Sequence, residues 1–62
     1  MKNIIVIPCL NEINHISSII DSMAKQATLI GADLIVVDGG STDGTIQEIK
    51  YKENQYDNVF FL

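Results

Sequence analysis

The sequence contains no arginine, one cysteine, one histidine and one proline in its 62 residues. Four lysines stand against eight acidic residues, for a formal charge of −4. That excludes nucleic-acid binding through a basic face, because phosphate neutralisation needs clustered Lys and Arg. The same shortage excludes a polybasic membrane patch. Cys9 has no second cysteine to pair with, and with His15 as the sole imidazole a Cys/His zinc site is excluded as well. No apolar run approaches the ~20 residues of a membrane-spanning helix. The apolar start, Ile4-Ile5-Val6-Ile7, is cut by Pro8 well short of the ~7–15 residues of a signal-peptide core. The unpaired Cys9 agrees with a reducing compartment, and a cytoplasmic location is expected.

Against these absences, 47% of the residues are hydrophobic, 19% are charged and the mean hydropathy is +0.21. This composition builds a buried core and excludes disorder. Yet a chain this short buries only about 60% of the surface its unfolded form exposes, and it carries no disulfide or zinc site to compensate. The expectation is one incomplete domain over residues 1–62, which relies on a partner or on further chain.

The apolar pattern changes period along the sequence. Ile4-Ile5-Val6-Ile7 is a β-branched run without alternation, as in a strand buried on both faces of a parallel sheet, and Pro8 is expected to end it. Ile16, Ile19, Ile20, Met23 and Ala27 then form one stripe of an amphipathic helix, predicted over residues 14–27. Asn11 or Asn14 is its candidate cap, and Gly31 follows its end. A second buried strand is predicted over residues 34–37 and stops at Asp38-Gly39-Gly40. Thr45 and Glu48 have capping-box spacing ahead of a short helix to about Lys52. Val59-Phe60-Phe61-Leu62 reads as a third strand, apolar and uncharged, the kind of edge through which a lone unit would self-associate.

The order β-α-β-α-β with short connections is an α/β class unit, one half of a doubly wound and mainly parallel sheet. Such sheets bind ligands beyond the carboxyl ends of their strands. Two loops lie there: residues 8–14 after the first strand and 38–44 after the second.

In the second loop, Asp38 places a carboxylate at the sheet edge, able to accept from a base N–H or a ribose hydroxyl. Gly39 and Gly40 allow a sharp turn and close approach of a flat ligand. Ser41, Thr42 and Asp43 can bond the loop's own amides and the free N–H groups of the next helix. The plainer reading is an ordinary strand-to-helix turn with Asp43 or Thr45 as cap. The spacing excludes a dinucleotide fingerprint, a Walker A loop and an EF-hand. In the first loop, Glu12 either accepts from a ligand or is a helix N-terminal acid favoured by the dipole. A thiol nucleophile built from Cys9 and His15 lacks an orienting third group, so both residues read as structural.

Taken together, Pro8-x-x-Asn11-Glu12 after the first strand and Val37-Asp38-Gly39-Gly40-Ser41-Thr42-Asp43-Gly44-Thr45 after the second resemble the N-terminal part of the family 2 glycosyltransferases. The resemblance covers essentially the whole chain and lies nearest the succinoglycan-type transferases of bacterial exopolysaccharide synthesis. It implies a GT-A fold and an inverting enzyme. That enzyme passes a sugar from a nucleotide-diphospho-sugar, in particular a UDP-sugar, to a saccharide or lipid-linked hydroxyl acceptor.

By this resemblance Pro8, Leu10 and Glu12 line the nucleotide pocket, Asp38 contacts the base, and Val37 lies beside it through its backbone. Two departures are evident. Leu10 stands where the family usually has an aromatic residue stacking on the base, and Gly39 stands where it often has a second Asp. The family's metal-binding Asp-x-Asp motif and catalytic base are absent from these residues, so the Mg²⁺ or Mn²⁺ that would offset the donor diphosphate has no ligands here. The resemblance thus implies no catalytic residue and no metal ligand among residues 1–62, and the segment alone is expected to be inactive. The rival is a non-catalytic α/β module whose acidic loops serve as turns or as a protein-binding edge. A nucleotidyltransferase-like domain would need a Gly-rich, Arg-containing first loop, which this sequence lacks.

Overall fold

Five elements follow one another in the computed structural model, which describes residues 3–62. They are β1 (Asn3–Cys9), α1 (Ile16–Leu29), β2 (Ala32–Asp38), α2 (Thr45–Gln55) and β3 (Val59–Phe61). The strands form one parallel sheet in the order β1-β2-β3, with Ile5 opposite Leu34, Cys9 opposite Asp38 and Val36 opposite Phe61. The α/β class and the β-α-β-α-β order expected from the sequence are both found.

The core lies between the sheet and the two helices. Ile16, Ile20 and Ala24 of α1 and Ile49 of α2 are buried against Leu34, Val36 and Val59, with Ile5, Ile7 and Cys9 closing the β1 side. These strand positions alternate, so one face of the sheet is covered. On the other face Ile4 and Val6 are 59% and 58% exposed. This corrects the expectation that the β-branched runs are buried on both faces. With the strands in sequential order both helices stack on one side, and no described element reaches the other.

Strand β1 also runs past Pro8 to Cys9. It is an edge strand, and an edge tolerates proline because one row of N–H groups has no sheet partner to lose. Helix α1 starts at Ile16 with His15 as its cap residue and without a side-chain cap, so neither Asn11 nor Asn14 caps it. The Glu12 carbonyl instead accepts from the N–H groups of His15 and Ile16, at 2.9 and 2.7 Å. Thr45 and Glu48 form no capping box either. Gly44 is the cap residue, and Thr45 is already the first helical position.

The helices are pinned together by a polar latch. Lys52, whose side chain is 7% exposed, pairs with Asp21 Oδ1 at 2.8 Å. The Tyr56 hydroxyl donates to the same oxygen at 2.5 Å. The third strand is tied in by the Asn58 carbonyl, which accepts from Leu34 N–H at 2.7 Å, and by Leu62 N–H, which donates to the Val36 carbonyl at 2.9 Å.

Candidate functional site

Strands β1 and β2 end side by side, and this pairing brings the two loops together. Pro8 lies opposite Val37 and Cys9 opposite Asp38. Gly39 N–H donates to the Cys9 carbonyl at 2.9 Å, which extends the ladder by one bond into the loop. Leu10 follows at once, 54% exposed. Its side chain lies beside Gly39, 3.8 Å from where a Cβ there would stand, an ordinary contact distance.

Asp38 is the most heavily bonded side chain of the edge. Its Oδ2 accepts from the N–H groups of Gly40 and Ser41 at 2.8 and 2.7 Å. Its Oδ1 accepts from the Ser41 hydroxyl at 2.5 Å and the Cys9 thiol at 3.5 Å. The bonds from the Ser41 hydroxyl and then from the Ser41 and Gly40 amides hold the Asp38 carboxyl below its ordinary value. The thiol responds in the opposite direction. Burial, then the bond to Asp38 and its charge, push Cys9 up to about 11.

The loops are also clasped to each other. Asn11 N–H donates to Ser41 Oγ at 2.8 Å, and Asn11 Oδ1 accepts from Thr42 N–H at 2.8 Å. Glu12 N–H donates to Thr45 Oγ1 at 2.9 Å, and Ile13 N–H to Asp43 Oδ2 at 3.3 Å. Asp43 in turn accepts from the N–H and hydroxyl of Thr45, and the hydroxyl bond first of all holds its carboxyl below the ordinary value. Two backbone devices make the clasp possible. Asn11 sits in the left-handed region at φ 51°, which Asn tolerates better than most residues. Gly44 does the same at φ 96°, with the Ile13 side chain 3.6 Å from where its Cβ would be.

All five residues singled out from the sequence therefore converge on one edge. Pro8 and Leu10 are exposed, and Glu12, Val37 and Asp38 are half-buried. The Glu12 carboxylate makes no hydrogen bond among the described residues. His15 takes no part, since the thiol of Cys9 is bonded to Asp38 instead. What sequence reasoning missed is the mutual clasp: Asn11 was a candidate helix cap, and Ser41, Thr42 and Asp43 were local turn formers. The available signal was topological. Two polar loops that follow adjacent parallel strands must meet.

The described residues do not supply a metal centre. No group of three or more His, Cys, Asp or Glu side chains converges among them, and Asp38 and Asp43 spend their oxygens on loop donors. A hollow of about 510 Å³ lies at the far end of the sheet, lined by Gly31, Ala32, Asp33, Tyr56 and Asn58 among others. It opens at the amino edge of the strands, whereas convergent polar groups mark the carboxyl edge.

Comparison with known proteins decides the family. The sequence pattern of "Glycosyl transferase family 2" matches residues 4–62. The chain belongs to glycosyl transferase family 2. Among curated members it is similar to the succinoglycan biosynthesis protein ExoA of Rhizobium meliloti, 40% identical over 61 residues. That match covers 98% of this chain but only 18% of the relative, so the chain spans less than a fifth of its length. No solved structure matches the chain. Among the described residues no helix is long and apolar enough to cross a membrane. The family 2 resemblance is thereby borne out, as is the likeness to a protein of succinoglycan biosynthesis.

Proposed function

We propose that this chain is the nucleotide-binding part of an inverting glycosyltransferase. The donor is a nucleotide-diphospho-sugar with uracil as its base, and the acceptor is a hydroxyl of a saccharide or lipid-linked saccharide. The observation that supports this best is the Asp38 carboxylate, kept ionised at the carboxyl edge of the sheet in a member of this family. An ionised carboxylate accepts a charge-assisted bond from an imide N–H, which uracil has at N3. The exposure of Leu10 beside Gly39 supports a reading in which it covers a base face, with Pro8 and Glu12 lining the same pocket and Val37 beside it through its backbone.

In the transfer itself the acceptor oxygen attacks the anomeric carbon as the bond from that carbon to the diphosphate oxygen breaks. The nucleoside diphosphate leaves, and the hydroxyl proton passes to a base. That base, and the ligands of the Mg²⁺ or Mn²⁺ that accompanies the donor, come from residues outside this chain. The chain's own part is to bind and orient the nucleotide. The relative's name in succinoglycan biosynthesis supports polysaccharide synthesis as the setting.

The test is transfer by the full-length protein from UDP-sugars to saccharide and lipid-linked acceptors, with the product's anomeric configuration read by NMR. Inversion relative to the donor is expected. Retention would contradict the displacement, and no transfer from any nucleotide sugar would contradict the function.

A further inference from the structure

Ser41 holds both oxygens of Asp38. Its N–H donates to Oδ2 at 2.7 Å and its hydroxyl to Oδ1 at 2.5 Å, so the carboxylate cannot rotate without losing both bonds. Ser41 Oγ also accepts from Asn11 N–H at 2.8 Å. A hydroxyl has a single hydrogen, an amide N–H only donates and an ionised carboxylate only accepts. The relay therefore has one possible direction, from Asn11 N–H to Ser41 Oγ and from the Ser41 hydroxyl to Asp38 Oδ1. With Gly40 and Ser41 both on Oδ2, the acceptor positions of that oxygen are filled. On Oδ1 the remaining position holds only the Cys9 thiol at 3.5 Å, a weak donor that a stronger one displaces readily.

We propose that Ser41 is the positioning residue for base recognition. It aims the exchangeable acceptor of Asp38 and ties that aim to the loop that carries Leu10. The inference rests on the nucleotide-binding reading above and goes beyond it, because it separates recognition of the base from recognition of the diphosphate. A ligand N–H that bonds to Asp38 depends on the Ser41 hydroxyl. The diphosphate does not.

The experiment is calorimetric titration of the full-length protein with UDP and with its N3-methyl analogue, which lacks the imide hydrogen. Ser41→Ala is expected to weaken UDP binding about ten-fold, while binding of the N3-methyl analogue stays within about two-fold. Ser41→Thr, which keeps donor and acceptor, restores the wild-type preference for UDP. Should Ser41→Ala fail to fold, Ser41→Cys offers a weak donor of similar shape and reads the same ratio. Equal loss for both ligands would show a purely structural role, and no loss for either would show that Asp38 needs no aiming; each overturns the proposal. A wild-type protein that binds the two ligands alike would overturn the Asp38 base contact itself, and the role of Ser41 with it.

Discussion

Cys9 and Asp38 end adjacent strands directly opposite each other, and the thiol donates to Asp38 Oδ1 at 3.5 Å. Burial, and then the bond to the ionised Asp38 carboxylate and its charge, push the Cys9 thiol up to about 11. Alkylation by iodoacetamide requires the thiolate. At pH 8 Cys9 should therefore react far more slowly than an ordinary thiol, with a rate that climbs towards pH 11. Asp38→Asn removes the charge but leaves the burial, so the inflection should fall only part of the way. An inflection near the ordinary thiol value in the wild type would show that the contact does not form.

Asn11 does two jobs that different substitutions separate. It adopts φ 51°, and its Oδ1 accepts from Thr42 N–H. Asn11→Gly keeps the backbone and loses the acceptor, at about 1 kcal/mol. Asn11→Ala adds left-handed strain, a further ~1–2 kcal/mol. Urea denaturation of the full-length protein should rank wild type above Gly and Gly above Ala. The reverse order of Gly and Ala would contradict the assigned turn.

The Asp21–Lys52–Tyr56 latch gives stability a pH signature. The bond from Lys52, then that from Tyr56, holds the Asp21 carboxyl below its ordinary 3.8. A depressed carboxylate contributes stability above its unfolded value and loses it as the pH falls through the folded one. The latch should thus weaken as the pH drops below about 3.8. Lys52 is raised above 10.5 by the same bond, so its contribution persists below that value and is lost at still higher pH. Asp21→Ala strands a Lys52 side chain that is 7% exposed, whereas Asp21 itself is 44% exposed. The cost at pH 7 is about 1–2 kcal/mol, less than for a fully buried pair. Chemical denaturation across the acid range should show the wild-type advantage vanishing below the lowered value. A constant difference down to pH 2 would contradict this account.

Ile4, Val6, Phe60 and Leu62 are 59%, 58%, 43% and 73% exposed, and they leave one sheet face apolar and open. An uncovered face beside two edge strands invites pairing with another sheet. The isolated chain of residues 1–62 is expected to associate in sedimentation equilibrium. A monodisperse monomer with a cooperative, concentration-independent melt would show that the single-sided core suffices.

The sequence carried the element order because the β-branched runs and the Ile16–Ala27 stripe have unambiguous periods, and both helices and all three strands stand where those periods put them. It misjudged the sheet's second face, since an unalternating run such as Ile4–Ile7 reads the same whether one face or two are covered. It misplaced the caps for a different reason. Asn11 and Thr45 have strong local capping chemistry, but partners some thirty residues away, Ser41 and Thr42 for one and Glu12 for the other, claim them in the folded chain. Pro8, Leu10, Glu12, Val37 and Asp38 were singled out by the family resemblance, and their sharing one edge follows from strands β1 and β2 ending side by side. The clasp was not legible, because it depends on which loop amides face each other.

The central claim is that the Asp38 edge binds the base of a nucleoside diphosphate. Its most direct test is calorimetric titration of the full-length protein with UDP in the presence of Mn²⁺, beside the Asp38→Ala variant. Micromolar binding by the wild type and none by the variant is the expected result. Absence of nucleotide binding by the wild type at any metal concentration would contradict the claim, as would undiminished binding by Asp38→Ala.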